Sequence, residues 1–176
     1  MADIEVLEGD EAYFDVERAP RPLDDRMLHE PIRRLEMRPP VCVARGAALA
    51  EAVRQMQQHR VGYVMVVDGG RLVGILTERD ILYKVLGKIP DLGTVTVDAV
   101  MTGDPEVLTP DDAIVFALQK MSVGGFRHVP LVDAQRRPVG IVSVRHVVDW
   151  VVDFFPAHVL NVPPEPGRLP QQPEGG

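Results

Sequence analysis

The sequence contains one cysteine, Cys42. A lone thiol excludes an internal disulfide framework and any cysteine-built zinc cage, and it suits a reducing compartment. Long apolar runs are also missing. No stretch approaches the roughly 20 residues that cross a bilayer, and the opening residues lack the cationic, apolar, small-residue order of a leader. A soluble, cytoplasmic protein with no membrane role is expected. Clustered basic charge is absent as well. The formal charge is −7, and Met1–Glu30 carries the whole imbalance, with ten acids against Arg18, Arg21 and Arg26. The remainder is balanced at sixteen acids and sixteen bases, so no basic face neutralises phosphates and nucleic acid is not an expected partner. There is no P-loop, no dinucleotide glycine fingerprint and no nucleophile–base pair, so no catalytic residue is expected. His128 and His146 have no acids or thiols at ligand spacing, and no metal site is expected either.

What is present is a repeat. The 176 residues, 45% hydrophobic and 26% charged, suffice for one sizeable core. Pro40–Leu86 and Asp104–Val151 align at an offset of about 65 residues. In the first copy the pattern predicts a strand at Val41–Val43, a helix over Ala47–His59 with Leu49, Val53 and Met56 on one side, and a strand at Gly62–Val67. The turn Asp68-Gly69-Gly70, a strand at Leu72–Leu76 and a helix over Glu78–Leu86 follow. The second copy repeats the order, with strands at Glu106–Leu108, His128–Val132 and Val139–Val142 and helices over Asp111–Ser122 and Val144–Phe155. Each unit is about 50–60 residues, small enough that two copies should pack sheet against sheet. The expected fold is therefore α/β (α+β), two β-α-β-β-α repeats joined about a pseudo-twofold axis. Leu28–Met37 and TVTVDAVMT at Thr94–Thr102 read as corresponding lead-ins. The expected organisation is an acidic, partly disordered segment over 1–29, repeats over 30–92 and 93–156, and a Pro-rich disordered tail over 157–176.

Each copy ends its last strand on a similar phrase, GILTERD at Gly74–Asp80 and GIVSVRH at Gly140–His146. Thr77 with Asp80 fits a helix capping box, and Ser143 fits its first half. The same geometry suits a nucleoside phosphate. A helix start offers free N–H groups, and a carboxylate one turn in can accept from both hydroxyls of a ribose. Capping alone and ligand binding both fit these residues. Cys42, on a strand beside Val41 and Val43, reads as an inert packing thiol. In the last helix, Arg145, Asp149 and Asp153 form one polar stripe, and the remaining apolar surface exceeds what a free helix face carries.

The phrases VMVVDGGRLVGILTERDIL at Val64–Leu82, VPLVDAQRRPVGIVSVRHVV at Val129–Val148 and DAVMTGDPEVLTPDDAI at Asp98–Ile114 resemble a tandem pair of cystathionine-β-synthase (CBS) domains, the Bateman module. The resemblance covers roughly Glu30 to Phe155. It implies a regulatory module that binds AMP, ADP or ATP in clefts between the copies, with S-adenosylmethionine and NAD as related ligands and no required cofactor. It also implies a homodimer joined through the helices. No effector domain accompanies the pair, so the regulated partner is expected to be another protein. One cleft would join Thr77, Arg79 and Asp80 to Val107, Thr109, Arg127 and His128. Asp80 would take the ribose, Arg79, Arg127 and His128 the phosphate, and backbone near Val107 the adenine edge. The other would join Ser143, Arg145 and His146 to Val41, Val43, Gly62 and Tyr63. There, His146 stands where the pattern has aspartate and offers one acceptor for two, at a cost of about 1–3 kcal/mol. Met65 replaces the proline that the second copy has at Pro130. This second cleft is expected to be weak, empty or selective for something else. The alternative function is a ligand-independent dimerisation or interaction scaffold.

Overall fold

The two predicted hairpins frame the molecule. A computed structural model of the chain describes residues 25–153. In it β1 is Cys42–Ala44, α1 Leu49–His59, β2 Tyr63–Asp68 and β3 Arg71–Thr77. Next come α2 at Glu78–Asp80, which widens into a π-turn over Ile81–Val85, and the short β4 at Thr102–Gly103. The second copy supplies α3 at Ile114–Gly124, β5 at His128–Val132, β6 at Pro138–Ser143 and α4 at Val144–Val152. One sheet has the order β1-β2-β3-β4 and the other is the β5-β6 pair. Gly69 and Gly70 sit at φ +54° and +78°, as a two-residue hairpin loop of the type that matches strand twist demands. The second loop is longer, and the Asp133 carboxylate closes it by accepting from the backbone N–H groups of Gln135 and Arg137.

Period-2 alternation divides the strands between two layers. In β2, Val64 and Val66 face α1 and join Leu49, Ala52, Met56 and Leu76 in one core; Tyr63 and Met65 face the other way. In the second copy, Val129, Leu131 and Val142 pack with Ile114, Ala117 and Val147. Between the sheets lies a third cluster of Tyr63, Met65, Leu72, Ile75, Val132 and Ile141. The repeats therefore meet sheet to sheet, and residues 25–150 belong to one compact unit.

The lead-ins are exchanged. The segment before the first copy packs on the second: Ile32 and Leu35 enter its core, Pro31 bridges to Ala113, and Ile114 N–H donates to the Glu30 carbonyl. Reciprocally, Val97 and Val100 enter the first core, Ala48 bridges to Thr96, and Leu49 N–H donates to the Val95 carbonyl. These paired bonds replace side-chain caps at α1 and α3, whose first-turn N–H groups would otherwise lack partners.

Several expected elements differ. Glu106–Leu108 forms no strand; it is reduced to a single parallel bridge between Leu108 and Leu131. The helix expected from Asp111 begins at Ile114, because Thr109 and Asp112 close a side-chain turn and the following backbone pairs with the exchanged lead-in. Likewise α1 starts at Leu49, and its buried stripe is Leu49, Ala52 and Met56, with Val53 only half-buried. The lead-in TVTVDAVMT gives Val97 and Val100 to the first core and runs into strand β4. Phe154, Phe155, the acidic opening through Asp24 and the Pro-rich tail lie outside the described residues.

Candidate functional site

Where β3 ends, the Thr77 backbone is extended (φ −123°, ψ 164°) and α2 begins. The capping box expected from the sequence is formed. Asp80 N–H donates to Thr77 Oγ1 at 3.3 Å, and Thr77 N–H donates to Asp80 Oδ2 at 2.9 Å. Thr77 Oγ1 adds a 2.7 Å bond to the same oxygen. Lys84, one turn on, takes Oδ1 at 2.7 Å and also donates to the Val100 carbonyl, while Thr102 Oγ1 stands 3.5 Å from Oδ1. Burial pushes the Asp80 carboxyl pKa up, but the Lys84 and Thr77 hydrogen bonds more than offset this and hold it below the usual range.

Beside this turn opens a cleft of about 340 Å³ between the repeats. Its walls include Thr77, Arg79 and Asp80 from the first copy and Arg127 and His128 from the second, so five residues predicted for the main cleft are brought together. Val107 and Thr109 are not among the lining residues. Val107 packs against the inter-sheet core, and Thr109 is occupied by Asp112, because the strand that would have aimed both at the cleft is only a bridge. Gly62, predicted for the other cleft, lines this one. Glu78, Thr102, Asp104, Pro105, Glu106, Phe126 and Pro130, none of them predicted as a site residue, complete the wall together with Ile75. Glu78 was visible inside the repeated phrase, and Thr102 and Glu106 belonged to the expected lead-in and strand; Asp104 and Pro105 fell between those elements.

The cationic groups behave unequally. Arg79 donates to the Gly125 carbonyl at 3.1 Å and so ties the first repeat's turn to the end of α3. His128, expected to contribute charge or hydrogen bonds, is uncharged at neutral pH, since burial, Arg127 and His146 lower its pKa from 6.5 to about 4. Its ring leans on Tyr63 at 5.2 Å between centroids.

The residues of the expected second cleft are placed differently. Val43 is buried in the first core and Val41 packs against it. Tyr63 is buried between the sheets. Arg145 is exposed and pairs with Asp149. Ser143 and His146 form a second capping pair, in which His146 Nδ1 accepts from Ser143 N–H at 3.3 Å and His146 N–H donates to Ser143 Oγ at 3.4 Å. An accepting Nδ1 requires the neutral ring, and burial and Arg38 lower the His146 pKa accordingly. Histidine here does the helix-start work of Asp80 through a single acceptor. Cys42 is half-buried and unpaired, with burial raising its pKa. Among the described residues no three His, Cys, Asp or Glu side chains cluster as a metal site, and no helix is long and apolar enough to cross a membrane.

The glycines of the repeated phrase also have a structural reason. A Cβ on Gly74 would collide with the Met101 thioether, and Gly140 lies against Met37 of the other lead-in.

Comparison with known proteins matches this arrangement. The CBS-domain family profile covers residues 32–87 and 97–153. A 17.7 kDa protein from the bps2 3′ region of Acidianus ambivalens is 35% identical over 109 residues, which is 61% of this chain and 65% of that protein. Among solved structures, the CBS domain pair of MJ0100 in complex with 5′-methylthioadenosine and S-adenosyl-L-methionine superposes with a TM-score of 0.62 at 28% identity, over 69% of this chain and 94% of that one. The CBS domain protein PAE2072 from Pyrobaculum aerophilum complexed with AMP gives 0.63 at 25% identity, over 72% and 98%. Two sheet-packed repeats, both matched by the profile, place the chain in the CBS-domain family as a tandem pair of CBS domains.

Proposed function

We propose that the chain is a regulatory module that binds an adenine nucleotide, of the AMP, ADP or ATP type, in the cleft between its repeats and changes its dimer geometry or its affinity for a partner protein in response. The observation that carries this reading is the convergence of Thr77 and Asp80 from one repeat with Arg127 and His128 from the other around a cavity of about 340 Å³, within the range of small-molecule sites. The AMP complex of one solved relative and the 5′-methylthioadenosine and S-adenosylmethionine complex of another support an adenosine ligand. Asp80 would accept from the ribose hydroxyls, with the 3.5 Å contact from Thr102 the first to give way. Arg79 and Arg127 would face phosphate, and His128 would serve as a neutral hydrogen-bonding group. The cleft at Ser143 and His146 would bind weakly, because its one acceptor is already engaged. Such a module regulates only if ligand favours one of two arrangements. Leu82, Tyr83, Val144 and Val148 are exposed on the helical segments, which supports a homodimer through the helices.

The second reading is a ligand-independent dimerisation scaffold. It is favoured by the completeness of the Thr77–Asp80 box, in which both carboxylate oxygens already have partners. A thermal-shift screen with AMP, ADP, ATP, S-adenosylmethionine and NAD separates the two. The sensor reading expects stabilisation that grows with ligand concentration and is lost in Asp80→Ala; the scaffold reading expects none from any ligand.

A further inference from the structure

The cleft carries more acid than a phosphate site requires. Glu78, Asp80, Asp104 and Glu106 line it against only Arg79 and Arg127, and His128 is neutral. Three of the carboxylates have their own cation: Lys84 on Asp80, Arg136 on Asp104 and Lys120 on Glu106. Glu78 has no ion-pair partner among the described residues. It is exposed, and its carboxylate lies over Gly62, where a Cβ would meet it at 2.9 Å. Glu78 therefore sits at the first helical position outside any ion pair, on the wall it shares with Arg79 and Arg127, the two cations that a phosphate would need. Arg79 itself is partly engaged by the Gly125 carbonyl.

We infer that the cleft selects adenosine derivatives carrying at most one phosphate over di- and triphosphates, and that Glu78 sets this limit. The inference rests on the adenosine reading of the cleft given above. Each further phosphate brings negative charge toward a carboxylate that has no ion-pair partner among the described residues, at separations within the roughly 8–10 Å over which salt does not yet screen it.

Isothermal titration of the full chain with adenosine, AMP, ADP and ATP, without magnesium and at about 0.05 and 0.3 M salt, tests this. AMP is expected to bind at least about tenfold more tightly than ATP. Glu78→Gln should narrow that gap by about threefold at low salt and by less at high salt, with adenosine affinity changed less than about twofold. Glu78→Asp, which keeps the charge, should retain the gap, and circular dichroism checks that both variants fold. ATP binding as tightly as AMP overturns the inference, and a gap unmoved in Glu78→Gln overturns the role of Glu78. Failure of all four compounds to bind the natural chain overturns the adenosine reading itself, whereas adenosine binding without charge discrimination overturns only the selectivity.

Discussion

Lowering the pH should destabilise the fold through His128 before it touches any carboxylate. The ring accepts a proton with a pKa of about 4 in the folded chain against an ordinary 6.5. The unfolded chain therefore binds the proton first, and the stability contributed by the neutral ring is complete above about pH 6.5 and falls as pH drops toward 4. At about 1.4 kcal/mol per pKa unit the full depression corresponds to about 3 kcal/mol, and about 2 kcal/mol of that would be lost by pH 5. The ring is only partly buried, so solvent screening reduces the loss at pH 5 to about 1–1.5 kcal/mol, or roughly 4 °C in melting temperature. His146 is lowered by burial and Arg38 and acts in the same direction. Urea unfolding at pH 7.5, 6.5, 5.5 and 5.0 of the natural chain and of His128→Gln is the assay. The variant should lose most of the slope between pH 6.5 and 5, with the remainder assigned to His146. A natural chain whose stability is flat across that window, or a slope that His128→Gln leaves intact, would refute the reasoning. Asp80 belongs to a lower window. Its folded pKa is depressed, so its contribution is present above about pH 3.9 and lost only as pH falls through the folded value.

Ile32 precedes the first repeat but is fully buried in the core of the second, so Ile32→Ala should cost about 2–5 kcal/mol in urea unfolding; a loss below about 1 kcal/mol would argue against the exchange of lead-ins. Gly74→Ala should cost about 1–3 kcal/mol by calorimetry, because the new methyl meets Met101, whereas Gly140→Ala, with Met37 Sδ 3.5 Å away, should be milder. Thr77→Ala should remove about 1 kcal/mol of capping, and a comparable loss in Ser143→Ala would show that histidine caps as well as aspartate does.

The hairpins were legible because β2 and β3 are short apolar runs on either side of Asp68-Gly69-Gly70, which admits little but a tight turn. The Thr77–Asp80 cap was legible for the same local reason: both groups lie within one helical turn. The exchange of lead-ins was not, since Ile32 and Leu35 announce an apolar face without naming which copy covers it. Nor was the loss of the Glu106–Leu108 strand, where pairing depends on how closely an edge approaches Leu131 rather than on the three residues themselves. That difference removed Val107 and Thr109 from the cleft and left Glu106 and Pro105 on its wall. The neutral state of His128 comes from neighbours brought together by folding, Arg127 excepted, and so could not be read from its position in the chain.

The most direct measurement is a crystal structure of the protein grown with AMP. The account expects the nucleotide in the cleft between the repeats, its ribose hydroxyls within about 3 Å of the Asp80 carboxylate and its phosphate facing Arg79 and Arg127. Nucleotide bound elsewhere, or an empty cleft with Asp80 still closed on Thr77 and Lys84 at saturating AMP, would contradict it.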